Sequence, residues 1–325
     1  DVESRGLGDV YKRQGFLWAV LVRRIFGMIR LDTVDVSFTS CKALSNISLE
    51  LTNQSGVVGL IGPNGAGKTT LMKLIFGFIR QTKGSITIKD SKLAYCPDVP
   101  SFEETLTADE VLQHSAALYG VSVKDVEIKE LLSYVGLQSV GKKLVKGFSR
   151  GMRQRLGIAS VLLLNPDVIF LDEPTSALDP NGRIDILNLI KEIAKDKTVV
   201  ISSHLLADLQ HVANSLIILN KGKLLYQDSL ENFMTLINKK IEVLCQDSFS
   251  RDTIKEVLVE QGVDTYCDNE NSGRLYARSG DFEKIYSLLI PYLSSILSIS
   301  RVSSDLTSGF LHFIAKKEGE LSEIN

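Results

Sequence analysis

The nine residues Gly62, Pro63, Asn64, Gly65, Ala66, Gly67, Lys68, Thr69 and Thr70 constrain this chain more than any other stretch. They spell G-x-x-x-x-G-K-[ST] and fall between an apolar run, GVVGLIG (56–62), and an amphipathic one, TTLMKLIFGF (69–78). A buried strand that turns through glycines into a helix aims several backbone N–H groups at one point. That point is also the positive end of the helix, so it attracts phosphate. Lys68 is then placed to reach the β- and γ-phosphates of a nucleotide, and the Thr69 hydroxyl to face Mg²⁺. Two further short apolar runs, DVIFLDE (167–173) and TVVISSH (198–204), suit strands buried on both faces of a largely parallel sheet. Amphipathic helical stretches separate them, which predicts an α/β core.

The strand ending in VIFLDE delivers Asp172 and Glu173 side by side at its C-terminal end, where ligands bind in open α/β sheets. Neighbouring residues leaving a strand point in different directions. Asp172 is therefore expected to hold a metal's water shell, and Glu173 to polarise a water attacking the γ-phosphate. No NKxD-like run that would read guanine is present, which argues against a GTPase.

Around this core the sequence predicts five other segments. Residues 1–27 contain a single apolar run ending at Arg23 and Arg24. They read as a non-native or peripheral extension before Met28. The alternation in IRLDTVDVSF and ISLELT predicts an antiparallel β-layer. Residues 108–137 read as consecutive helices, with Gly120 and Gly136 as C-terminal stops, inside a helical subdomain at about 100–150. SLIILNKGKLLYQD predicts a hairpin turning at Lys221-Gly222. Beyond it, residues 229–325 alternate strand-like pieces (KIEVLC, GRLYARS, FLHFIAK) with helical ones (RDTIKEVLVEQG, DFEKIYSLLIPYL), which predicts a small α+β accessory domain.

GPNGAGKTT, FSRGMRQRL (148–156), VIFLDEPTSALDP (168–180) and the histidine of VISSH, in that order, resemble the nucleotide-binding domain of ABC transporters. The resemblance covers residues 29–228, and the remainder is similar to the C-terminal extension of ATPase subunits of ABC-2-type exporters. It implies a P-loop NTPase fold with antiparallel β and helical subdomains, ATP and Mg²⁺ as ligands, and ATP hydrolysis coupled to transport. It also implies a homodimer or a paralogous ATPase partner, because one set of motifs supplies half of each of two sandwiched sites. A separate transmembrane permease would complete the machine. The chain would then sit peripherally on the cytoplasmic side of a cell membrane, powering export of an unidentified substrate.

Residue by residue, the resemblance implies the following. Ser149, Gly151 and Met152 would meet the γ-phosphate in trans, with Arg150 and Met152 standing where the fuller LSGGQ motif has glycine and glutamine. His204 is similar to the switch histidine at the γ-phosphate, and Asp179 to the D-loop aspartate at the dimer interface. Phe38 lies where the family stacks an aromatic ring on adenine. Asp98, in AYCPDVP, replaces the usual Q-loop glutamine and is expected to reach the metal through a water.

Composition narrows the alternatives. With 37 Lys plus Arg against 39 Asp plus Glu, the chain has no overall basic field for nucleic acid. A soluble ABC ATPase acting on nucleic acid or ribosomes is the runner-up reading. It is disfavoured by the single nucleotide-binding domain and the absence of sustained heptads. A hydrolysis-deficient regulator is opposed by the presence of Lys68, Asp172, Glu173 and His204. The four cysteines are scattered, with no CxxC pair, which speaks against a zinc site or a disulfide framework and suits a reducing cytosol. No run of about 18 apolar residues occurs.

Overall fold

The computed structural model describes residues 27–39, 41–52, 56–90, 92–237, 240–267, 273–278, 282–301 and 306–322. The chain divides into two compact units, Asp1–Ser229 and Leu230–Asn325. The extension predicted for residues 1–27 lies outside the described residues except for Gly27, which opens the first strand by pairing with Asp90.

The first unit begins with β1 (Gly27–Ser37), β2 (Lys42–Thr52) and β3 (Gly56–Ile61), followed by α1 (Lys68–Ile75), β4 (Lys83–Asp90) and β5 (Leu93–Cys96). Strands β2, β1 and β4 form an antiparallel layer in that order. Alternation in β1 and β2 puts Ile29, Leu31, Val34, Val36, Leu44, Ile47 and Leu49 inside while the intervening residues face outward. The buried set meets Leu71, Met72, Leu74 and Ile75 of α1 and side chains from the second sheet, so that α1 is gripped by one continuous core.

A helical stretch follows: α2 (Ala108–Leu118), α3 (Asp125–Tyr134) and α4 (Arg150–Leu162). The Thr107 side chain caps α2 by accepting from Glu110 N while the Glu110 carboxylate returns to Thr107 N. Gly120 and Gly136 close their helices with φ of 66° and 75°, left-handed values that glycine adopts without a Cβ penalty. The core then closes with β6 (Val168–Asp172), α5 (Pro180–Ile193), β7 (Thr198–Ser203), α6 (Leu206–Val212), β8 (Ser215–Asn220) and β9 (Lys223–Ser229). The six-stranded sheet runs β5-β6-β7-β3-β8-β9. It is parallel except for β9, which returns antiparallel through Lys221 (φ 47°) and Gly222 (φ 74°). β6 and β7 are buried along their whole length, as strands covered on both faces must be.

In the second unit, α7 (Leu230–Ile237) precedes β10 (Lys240–Cys245), α8 (Ser248–Glu260), β11 (Asp264–Tyr266), β12 (Arg274–Arg278), α9 (Phe282–Leu289), β13 (Ile296–Arg301) and α10 (Leu306–Ser322). Its four strands are all antiparallel, ordered β11-β12-β10-β13, and Ile254, Leu258, Ile285 and Leu289 pack with them in a separate core. The segment FLHFIAK is helical, not a strand as its apolar density suggested. Leu306, Phe310 and Phe313 recur at helical spacing and are buried, and Phe313 stacks edge-on against Phe233 with ring centroids 5.3 Å apart. ILSISR, in contrast, is a strand that its serines concealed. Among the described residues no helix is long and apolar enough to cross a membrane.

Candidate nucleotide site

The loop between β3 and α1 is closely approached by its surroundings at two of its glycines. A Cβ on Gly62 would stand 2.4 Å from the Leu219 carbonyl oxygen. One on Gly67, at φ 106°, would stand 2.7 Å from Leu44 Cδ2. The loop is thus pressed against β8 and β2, and its free side faces a cleft of about 590 Å³. The β8–β9 turn braces it through Gly222 N donating to Ala66 O at 3.0 Å.

Lys68, only 8% exposed, donates from Nζ to the carbonyl oxygens of Gly62 and Pro63 at 2.7 and 3.4 Å. Burial lowers the pKa of its ammonium from the ordinary value, with the charges of Glu173 and Asp172 opposing the shift. Asn64, Gly65, Thr69 and Thr70 line the same cleft, as do Asp172 and Glu173 from the end of β6. Phe38 stands at its mouth, 49% exposed on the segment after β1, with an open face for an aromatic ligand.

Asp172 is held on both oxygens. Oδ1 accepts from the Ser202 hydroxyl at 2.5 Å, and Oδ2 accepts from the Tyr95 hydroxyl at 3.1 Å and from the Thr69 hydroxyl at 3.3 Å. Ser202 Oγ also accepts from Glu173 N at 2.8 Å, so one hydroxyl on β7 contacts both Asp172 at the end of β6 and Glu173 just past it. Tyr95 is fixed by an aromatic group: its centroid lies 5.4 Å from that of Phe76, which meets Phe170 edge-on at 5.3 Å. Burial and the Asp172 charge push the phenol pKa upward, which keeps it a donor. Neither Tyr95 nor Ser202 carried a signal in the sequence, because their contacts span 77 and 30 residues.

Glu173 adopts a left-handed backbone, φ 47°. Its Oε2 lies 2.7 Å from Nδ1 of His204, on the residue just past β7. A carboxylate oxygen accepts in such a contact when the facing ring nitrogen carries the proton. Ser149 caps α4, its Oγ accepting from Met152 N at 3.2 Å, and Gly151 lies in the first turn. Asp179 precedes α5 as its N-cap residue, with Pro180 in the first helical position. Asp98 Oδ1 is bound by Arg150 and by Ser176.

Known proteins are similar to this chain in sequence and in fold. Residues 44–176 match the sequence model of the family described as ABC transporter. The chain is 33% identical over 302 residues to the bacitracin transport ATP-binding protein BcrA of Bacillus licheniformis, covering 87% of this chain and 97% of the relative. It is 34% identical over 226 residues to the lantibiotic transport ATP-binding protein SrtF of Streptococcus pyogenes, covering 66% of this chain and 97% of the relative. A solved structure of an ATP-binding subunit of an ABC transporter superposes with a TM-score of 0.57 at 28% identity, over 64% of this chain and 92% of that one. With a relative matched over nearly its whole length and the nucleotide cleft formed by the same segments that carry the motifs, the chain belongs to the ABC transporter ATP-binding proteins and is an ATPase subunit of that family.

Proposed function

We propose that this subunit hydrolyses Mg²⁺-bound ATP at the cleft between the Gly62–Thr70 loop and the end of β6. It would do so as a homodimer or beside a paralogous ATPase, to drive export through a separate membrane permease. The observation that carries the reading is the convergence of Lys68, Thr69, Asp172 and the Glu173–His204 pair on one opening. Thr69 and Asp172 offer two oxygen ligands in mutual contact, the hard donors Mg²⁺ takes from protein when phosphate and water complete its shell. Bound there, the metal would neutralise charge on the β- and γ-phosphate oxygens.

The chain's own residues do the rest. Lys68 exchanges the carbonyls of Gly62 and Pro63 for phosphate oxygens, and the first N–H groups of α1 point at the same charge. Phe38 offers its face to the base. Glu173 accepts a proton from water through Oε1, while His204 holds the other oxygen and so orients the carboxylate. Ser149, exposed, and Gly151 and Met152, half-buried, lie at the N-terminus of α4 and would meet a partner's nucleotide, with the exposed Asp179 at the same interface. The helical stretch at 107–145 offers the permease its contact, and the chain is peripheral to the cytoplasmic face of the membrane.

Bacitracin and lantibiotics, named for two relatives, make peptide antibiotics the cargo class to test first. The test is to solubilise membranes containing the Glu173→Gln subunit in mild detergent, with ATP and Mg²⁺, and identify what co-purifies. A stoichiometric multi-span protein is the expected result. Recovery of only ribosomes, nucleic acid or soluble proteins would overturn the reading.

A further inference from the structure

Helix α4 begins with an electrostatic anomaly. Its first turn holds Arg150 and Arg153 and no acidic residue, although the helix N-terminus is itself positive. Both cations are answered from outside the helix. Arg153 Nη2 lies 3.0 Å from Glu104 Oε1, and Arg150 Nη2 lies 2.9 Å from Asp98 Oδ1. The same Arg150 nitrogen donates to Ser176 Oγ at 2.9 Å, and the Ser176 hydroxyl in turn donates to Asp98 Oδ1. An exposed ion pair is weak in isolation. Here a hydroxyl bonded to both members closes a three-cornered arrangement that fixes their geometry.

The three corners belong to segments with different tasks. Asp98 follows β5, the strand that carries Tyr95 to Asp172. Arg150 is the residue after Ser149 at the exposed start of α4. Ser176 lies in the turn that begins at Glu173, its N–H donating to the Glu173 carbonyl at 3.0 Å, and the left-handed residues Glu173 and Ala177 flank it. The contacts thus link the α4 N-terminus to the turn that begins at Glu173.

We propose that Asp98, Arg150 and Ser176 form a clasp in which Asp98 is a positioning residue for Arg150 and not a metal ligand. The clasp ties the start of α4 to the Glu173 turn of the same chain, so that seating of the α4 end sets the Glu173 geometry. It rests on the ATPase reading above. It accounts jointly for two residues that each look like a departure from the family pattern: the aspartate at 98 neutralises the arginine at 150.

The experiment is a double-mutant cycle on ATP turnover by the full chain, using Asp98→Asn, Arg150→Gln and both together, with Ser176→Ala as a milder probe of the third corner. Thermal unfolding is recorded for each. Each single substitution is expected to lower kcat about tenfold with KM for ATP within about twofold, and the double variant to fall no further than the worse single one. Asp98→Glu should recover most of the rate, and the Mg²⁺ concentration for half-maximal turnover should not move in Asp98→Asn. Multiplicative losses in the double variant, or a raised Mg²⁺ requirement in Asp98→Asn alone, would overturn the clasp while leaving the ATPase reading intact. A wild-type protein without ATP turnover would overturn both. If the charge variants fail to fold, an unchanged kcat in Ser176→Ala overturns the clasp.

Discussion

Nδ1 of His204 lies 2.7 Å from Oε2 of Glu173, so the residue just past β7 orients the carboxylate of the candidate base. The contact joins the ends of two adjacent parallel strands, where Ser202 on one also bonds the backbone N–H of Glu173 on the other. Preorganisation of this kind spares reorganisation during the reaction.

Glu173→Gln keeps the shape of the side chain and its hydrogen bond to His204 but removes the proton acceptor. kcat should fall by about 10²- to 10⁴-fold while ATP affinity is kept. With ATP and Mg²⁺ the variant should elute as a dimer in gel filtration. A monomer that still turns over ATP would reject the assignment.

Lys68→Ala removes a charge-assisted phosphate contact, and ATP binding measured by calorimetry should weaken about tenfold or more. The wild-type affinity should also depend on pH. Burial lowers the Lys68 pKa, and the charged form is the phosphate ligand. Affinity is thus full near neutrality and is lost on the alkaline side at a lower pH than the ordinary lysine value of about 10.4. The sign for stability is opposite: the buried ammonium costs stability below that window, and the cost disappears as pH rises through it. A flat affinity profile up to pH 10 would contradict the placement.

Tyr95→Phe removes the donor to Asp172 Oδ2 but leaves the ring in contact with Phe76. Ser202 still holds the other oxygen, so the expected loss is about 1 kcal/mol of positioning. It should appear as a raised Mg²⁺ requirement for turnover with little change in unfolding temperature. Turnover with an unchanged Mg²⁺ dependence would show that Tyr95 serves packing alone.

Cys41 is exposed and lines the cleft beside Phe38, whereas Cys96 is buried and its thiol pKa is pushed up to about 12. Iodoacetamide at neutral pH should therefore alkylate Cys41 and spare Cys96. ATP should slow the reaction at Cys41, read by mass spectrometry. Labelling at Cys41 that is indifferent to ATP would move the adenine away from Phe38.

What the sequence determined by itself was whatever depends on neighbours along the chain. The glycines and Lys68 of the phosphate loop act within nine residues, and the buried runs of β3, β6 and β7 are apolar for local reasons. The Lys221-Gly222 turn follows equally from the left-handed backbone it needs. Periodicity misled where composition was mixed. FLHFIAK is dense in apolar residues, yet it lies in a helix that buries Leu306, Phe310 and Phe313 at i, i+4, i+7 spacing and sets Phe313 against Phe233 of α7.

The tertiary structure alone decided which polar groups meet. Tyr95 and Ser202 reach Asp172 because β5, β6 and β7 are adjacent in the sheet, an order no spacing encodes. Asp98 and Arg150 looked like two separate substitutions, 52 residues apart. They become one ion pair because the fold brings the end of β5 to the start of α4, and the Coulomb and hydrogen-bond terms that pair them fall off within a few ångströms of space, whatever the distance along the chain.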